Sequence, residues 1–342
     1  MVLGHQKKPH RAGPLVAVSD VGHRLLGVTA GWQLLAYGPG GMIRIQFAGG
    51  RITRTAVPPL QSTGSFSFVV GPSQAIIRPL DFVPGYLVPD GHPARRLRGA
   101  LGLGGPAVVP GPQPGLVWVQ AGYAATSMSL AWLDGRMTGV SMRLPPGSGP
   151  WLAAADGQGY ALVFYLGAGA NAGAVYDVRP SGFRRIAGSV SAAGPTRWLT
   201  VDCNHHRCSN VVVDPASGER RRLPGQPARS AGAPGVIAPD GSAAAVIGIS
   251  GRQVTLHLID LASGTSVRIP VTLDQGSIDG QTLAWSPDSR WLFVVTARGR
   301  LAAVGARTHR VEGLGVALPP VSQIAIRSPR TQSQRHLRGG RR

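Results

Sequence analysis

Two cysteines frame the segment Cys203-Asn204-His205-His206-Arg207-Cys208, and no other cysteine occurs in the 342-residue chain. Strand-like runs flank it at 198–202 and 210–213, so the four intervening residues suit a hairpin tip. Cross-strand pairing there would bring the two sulfurs within disulfide reach, closing a loop so short that the entropic benefit is modest. Free thiols are a second reading. A metal site built from Cys203, Cys208 and a histidine is a third, but a tetrahedral zinc centre needs four ligands, and adjacent His205 and His206 point apart on a strand. A disulfide implies an oxidising compartment. The chain is then expected to be extracytoplasmic or associated with the cell envelope, with an anchor upstream of residue 1. Otherwise it is expected to be cytoplasmic.

Carboxylates are scarce, 15 in all. Asp214, Asp240, Asp260 and Asp288 sit in Pro-, Ser- and Gly-containing turn segments, where an Asp side chain bonds backbone two residues on. Asp274 and Asp279 form the close pair outside those turns. A glycan hydrolase or lyase needs two carboxylates facing one cleft, so this pair is what such an enzyme would use. No Gly-x-Ser-x-Gly elbow and no phosphate loop ending in Gly-Lys-Ser/Thr occurs. No catalytic residue, cofactor or resident metal is therefore expected.

The formal net charge is +20, almost all of it from arginine, since Lys7 and Lys8 are the only lysines. Residues 1–19 and 313–342 hold nine of the cations and no acid, leaving about +11 on the body. Two clusters, Arg95, Arg96 and Arg98, and Arg220, Arg221 and Arg222, each follow a turn and are the candidate patches for an anionic partner. Aromatic residues make up 6 %, too few for base-stacking platforms, so nucleic acid is disfavoured except through the basic tails. No stretch reaches the length of a membrane span. The start only faintly resembles a signal peptide: the apolar run at 14–18 is short and Asp20 follows.

The elements that must position these residues are short strands. Glycine (49) and proline (29) are scattered evenly, and apolar runs such as Trp291-Leu292-Phe293-Val294-Val295 are bounded by turn formers. Two motifs recur. Ala238-Pro239-Asp240-Gly241-Ser242 and Ser286-Pro287-Asp288-Ser289-Arg290 each precede an apolar run. Asp214-Pro215-Ala216-Ser217-Gly218 and Asp260-Leu261-Ala262-Ser263-Gly264 each precede a polar strand. Weaker copies of the second motif lie at 46–52, 132–137 and 177–183. The period divides the chain into seven units, near 23–59, 64–98, 115–146, 150–188, 195–225, 234–271 and 281–314, each of four strands. The segment 64–98 is the weakest, because Pro84 and Pro89 restrict strand pairing, and 101–115 reads as a loop.

The pattern Ser-Pro-Asp-x-Arg-Trp-Leu-x-Val over 286–294, together with the Asp-x-x-Ser-Gly hairpins, resembles bacterial β-propellers of the TolB-like and WD-repeat-like kind. The resemblance is strong over 195–326 and weak before residue 190; the Trp-Asp and Gly-His pairs of WD repeats are absent. It implies protein docking on a rigid disc and no catalytic activity. The expectation is an all-β chain: a β-propeller of seven four-stranded blades over 20–326, with residues 321–326 pairing into the first blade to close it. Residues 1–19 are expected to be a flexible basic segment and 327–342 a disordered Arg-rich tail. The expected function is a noncatalytic, monomeric scaffold that docks a protein, or an anionic surface, on one face.

Overall fold

In the computed structural model the described residues are 16–17, 25–28, 31–60, 66–80, 83–102, 108–122, 125–145, 150–155, 161–165, 175–204, 207–228, 230, 234–250, 253–273 and 281–327. Among them no α-helix forms, and no helix is long and apolar enough to cross a membrane. The chain is a succession of antiparallel meanders. Sheet 1 holds β1 (Val16–Ala17), β2 (Gln33–Gly38), β3 (Gly41–Gln46) and β4 (Arg51–Thr55). Sheet 2 holds β5 (Phe66–Val70), β6 (Gln74–Pro79), β7 (Tyr86–Pro89) and β8 (Arg95–Arg96), and sheet 3 holds β9 (Val109–Pro110), β10 (Leu116–Gln120), β11 (Ser127–Trp132) and β12 (Met137–Arg143). Sheet 4 is β13 (Pro150–Ala155), β14 (Ala161–Tyr165), β15 (Val175–Arg179) and β16 (Gly182–Ala187). Sheet 5 is β17 (Ser189–Ala193), β18 (Trp198–Asn204), β19 (Arg207–Val213) and β20 (Arg220–Leu223). Sheet 6 is β21 (Gly235–Ile237), β22 (Ala243–Ser250), β23 (Gln253–Asp260) and β24 (Ser266–Ile269), and sheet 7 is β25 (Leu283–Trp285), β26 (Trp291–Val295), β27 (Leu301–Gly305) and β28 (Val311–Gly313); β17 and β21 also pair in parallel, Ala192 opposite Gly235, so sheets 5 and 6 are the two halves of one continuous eight-stranded sheet. The last strand, β29 (Gln323–Arg327), returns to sheet 1 and pairs antiparallel with β2, Leu35 opposite Ala325, so that sheet has five strands in the order β1-β4-β3-β2-β29.

Strands at the centre of each sheet are apolar at consecutive positions because both sheet faces are covered. Side chains alternate between faces along a strand, and β26 shows the consequence. Leu292 and Val294 join a buried cluster with Leu256 and Leu258 of sheet 6, while Phe293 and Val295 join another with Leu34 and Ile45 of sheet 1. The same division recurs at each junction. Buried clusters lie between sheets 1 and 2, 2 and 3, 3 and 4, 4 and 5, 5 and 6, 6 and 7, and 7 and 1. At the junction of sheets 7 and 1, Trp32, Phe47 and Phe293 meet with ring centroids 4.3–5.7 Å apart. Strands at the other margin, such as β20 with Arg220, Arg221 and Arg222, are exposed and polar.

Several boundaries differ from the sequence reading. Val109–Pro110 opens sheet 3 inside the stretch expected to be a loop, because its pairing with Val117 and Trp118 is not encoded in the local Gly- and Pro-rich composition. Val16–Ala17 pairs with β4 inside the segment expected to be flexible. The closing strand reaches Arg327, which is 8 % exposed and bonded, where the tail was expected to begin. The remainder of that tail lies outside the described residues.

Candidate functional site

In a four-stranded meander the first and third turns lie at one end and the second turn lies at the other, beside the crossing to the next sheet. The Asp motifs all fall at the first end. Asp214 Oδ1 accepts from the N–H groups of Ala216 (2.8 Å) and Ser217 (3.1 Å), and the Gly218 N–H closes the turn on the Asp214 carbonyl at 2.8 Å. Asp260 repeats this with Ala262 (3.0 Å) and Ser263 (2.6 Å), closed by Gly264. Gly218 and Gly264 take φ of 77° and 78°, the left-handed region where a side chain would be strained. Asp240 accepts from the Ser242 N–H at 3.0 Å, and Asp288 from the Arg290 N–H at 3.2 Å. The bonds to Asp214, Asp240 and Asp260 favour their charged form. The Ser217 N–H foremost lowers the Asp214 pKa, and the Ser263 N–H and hydroxyl lower that of Asp260. For Asp240, burial pushes upward, and the Ser242 and Ser289 hydrogen bonds outweigh it.

Other acids are held by arginine. Asp90 pairs with Arg44 and Arg327, Asp134 with Arg136 at 2.8 Å, Asp177 with Arg179 at 2.6 Å, Asp202 with Arg220, and Asp214 also with Arg197. Asp274 and Asp279 lie outside the described residues. Among the described residues, no group of three or more His, Cys, Asp or Glu side chains is arranged to hold a metal ion.

The opposite end carries a cleft of about 1130 Å³ between sheets 4 and 5. Arg185 lines it from β16, Gly188 and Ser189 from the crossing into β17, and Val201 through Asn204, Arg207 through Ser209 from the β18–β19 hairpin, with Arg222 from β20. The hairpin strands run further than the sequence suggested, since Cys203 pairs directly with Cys208 and Asn204 with Arg207. The two sulfurs are joined as a disulfide; His205 and His206 lie outside the described residues.

The two arginine clusters are separate, on the outer strands of sheets 2 and 5 with two sheets between them. Arg95 and Arg96 form β8, opposite Leu87 and Tyr86, and both are exposed, as is Arg98. The second cluster is divided by strand alternation. Arg220 faces sheet 4, where it donates to the Ile186 carbonyl, and it pairs with Asp202 on β18 of its own sheet. Arg221 faces sheet 6 and donates to the carbonyls of Leu261 and, at 3.1 Å, Ala262. Arg222 shares the face of Arg220 and lines the cleft. Sequence reasoning did not single out Arg185, Arg207 or Asp202. The two-residue spacing of Arg220 and Arg222 was the available signal that two guanidiniums share one side.

No protein-family model matches the sequence, and no curated protein matches it. Among solved structures, a candidate 6-phosphogluconolactonase from Bacteroides fragilis aligns at 10 % identity and TM-score 0.53, over 86 % of this chain and 97 % of that one. A functionally unknown protein from Desulfotomaculum acetoxidans aligns at 12 % identity and TM-score 0.52, over 87 % and 99 %. TolB from Acinetobacter baumannii is a looser match, 13 % identical with TM-score 0.48 over 88 % and 83 %. The neighbours are β-propellers, and the chain shares their fold. Likeness at this level carries neither an activity nor a partner.

Proposed function

We propose that the seven sheets close into one disc of seven blades, six of four strands and the first of five because β1 adds to its outer edge, and that the disc is a noncatalytic docking scaffold. Closure is supported by the packing of consecutive inner strands at six of the seven junctions. β29 touches β5, β5 touches β9, β9 touches β13, β17 touches β21, β21 touches β25, and β25 touches β29. The docking surface is the face formed by the second turns and the crossings between blades. The observation that carries this reading is the commitment of the described aspartates. Each caps a turn or neutralises an arginine, while arginines remain on the cleft face. That arrangement suits an anionic partner better than acid–base chemistry, which needs a carboxylate free to exchange a proton. The Cys203–Cys208 disulfide favours an oxidising compartment.

Hydrogen exchange with and without polyglutamate tests the docking face. Protection is expected at the second turns and inter-blade crossings; protection confined to the Asp-capped turns would overturn the reading. The competing glycan-active reading requires turnover of a polyuronate or similar glycan that D274N or D279N abolishes. Association of nucleic acid through the tail requires loss of polyanion binding when residues 328–342 are deleted. Arg327 is kept in that variant because it belongs to β29.

A further inference from the structure

The geometry points to the cleft between sheets 4 and 5 as a binding site for an extended acidic segment of a partner protein, held through its carboxylates by Arg185, Arg207 and Arg222. This inference rests on the docking reading above and gives it a place and a ligand chemistry. The three guanidiniums come from different parts of the fold: β16, the tip of the stapled hairpin, and β20. All three are exposed, and among the described residues none has an ion-pair or side-chain hydrogen-bond partner. The acid that lines the same cleft, Asp202, is already paired with Arg220. The lining therefore presents unneutralised positive charge inside a concavity, where an anion is attracted more strongly than on an open surface.

The remaining lining residues select among anions. None of the described ones is Phe, Tyr or Trp, so the described lining offers no Phe, Tyr or Trp platform for a nucleobase. Ser189, Asn204 and Ser209 supply hydrogen-bonding groups, and Gly188 leaves room for a peptide backbone to approach. A planar guanidinium matches a carboxylate with two parallel hydrogen bonds, so each arginine can engage one acidic side chain. A cleft of about 1130 Å³ exceeds what a lone inorganic ion needs and fits several residues of extended chain. The disulfide contributes by holding Asn204 and Arg207 at the tip, which reduces the conformational freedom lost on binding.

Fluorescence anisotropy of a labelled peptide of alternating Glu and Gly, about ten residues long, tests the site on the full chain. The intact protein is expected to bind it at near-physiological salt. R185Q/R207Q/R222Q should bind at least about tenfold more weakly, and R95Q/R96Q/R98Q should stay within about twofold of the parent. R207Q alone, at the exposed hairpin tip, should give an intermediate loss, which guards against a folding defect in the triple variant. Reductant should weaken binding to the parent protein and leave the already weakened C203S/C208S unchanged. Equal losses in the two triple variants would overturn the cleft while leaving docking on the same face intact. Tighter binding of an oligothymidylate or a heparin fragment, lost in the cleft variant, would replace the acidic peptide with another class of polyanion. No binding of the peptide at all would sink the inference, whereas polyglutamate protection elsewhere on that face would keep the broader function.

Discussion

Asp260 accepts backbone N–H bonds from Ala262 and Ser263 and a hydroxyl bond from Ser263 at 2.8 Å, so one carboxylate fixes a five-residue hairpin. Removing it in D260A strands those donors, and a cost of about 1 kcal/mol is expected by analogy with helix caps; D260N should cost less, since the amide oxygen still accepts. The pH dependence has a definite sign. The folded pKa lies below the ordinary carboxylate value because the Ser263 bonds favour the anion. The contribution of the anion is therefore complete above the unfolded pKa of about 3.9 and is lost as pH falls through the lower folded value. Thermal midpoints of parent and D260N should converge between about pH 5 and pH 2; a gap that stays constant would refute the assignment. This chemistry was legible in the sequence because it is local, the Asp, Ser and Gly lying within five residues of one another. It faded where the local pattern changes role: Asp177, in one of the weaker copies, pairs with Arg179 and caps no turn.

At the scale of the element, the β18–β19 hairpin carries the one covalent cross-link. Denatured protein treated with reductant should gain the mass of two hydrogens, and an unchanged mass would mean free thiols. Losing the link in C203S/C208S should cost about 2 kcal/mol or less in chemical denaturation, given the short loop it closes. The central strands set a larger scale. Phe293 is fully buried, wedged against Trp32 and Phe47, and F293A should cost about 3–5 kcal/mol because the cavity forms between two rigid sheets. A cost below about 1 kcal/mol would mean that sheets 7 and 1 are not packed as described. The apolar runs made these strands readable, but the cleft was not. Arg185 and Arg222 are 37 positions apart in the sequence and meet through packing between sheets 4 and 5, a relation that no local spacing encodes. The strand at Val109–Pro110 was hidden for the same reason, since its partner Val117 and not its own composition defines it.

For the whole molecule the decisive element is β29, because it brings the end of the chain back to its beginning. Ser322 donates its N–H to the Tyr37 carbonyl at 2.7 Å, and Ile324 donates to Gln281 at 2.8 Å, so this segment ties sheet 1 to sheet 7. Arg327 reaches the other neighbour, bonding Gly71 at 3.3 Å and Asp90 at 3.1 Å in sheet 2 as well as Gln33 in sheet 1. Deleting 323–342 would leave Asp90 with one arginine fewer and expose the backbone of β2 along its length. An unpaired edge strand is a template for another chain. That truncation is expected to lower the midpoint sharply and to produce oligomers in light scattering, while deletion of 328–342, which removes arginines but no apolar pattern, leaves the midpoint unchanged. R327A should fall between the two, at a cost of about 2–4 kcal/mol, because it removes a largely buried cation from a paired carboxylate. If both truncations behave alike, the pairing of β29 with β2 is not what secures sheet 1, and the order of the sheets must be held by the junctions between them alone.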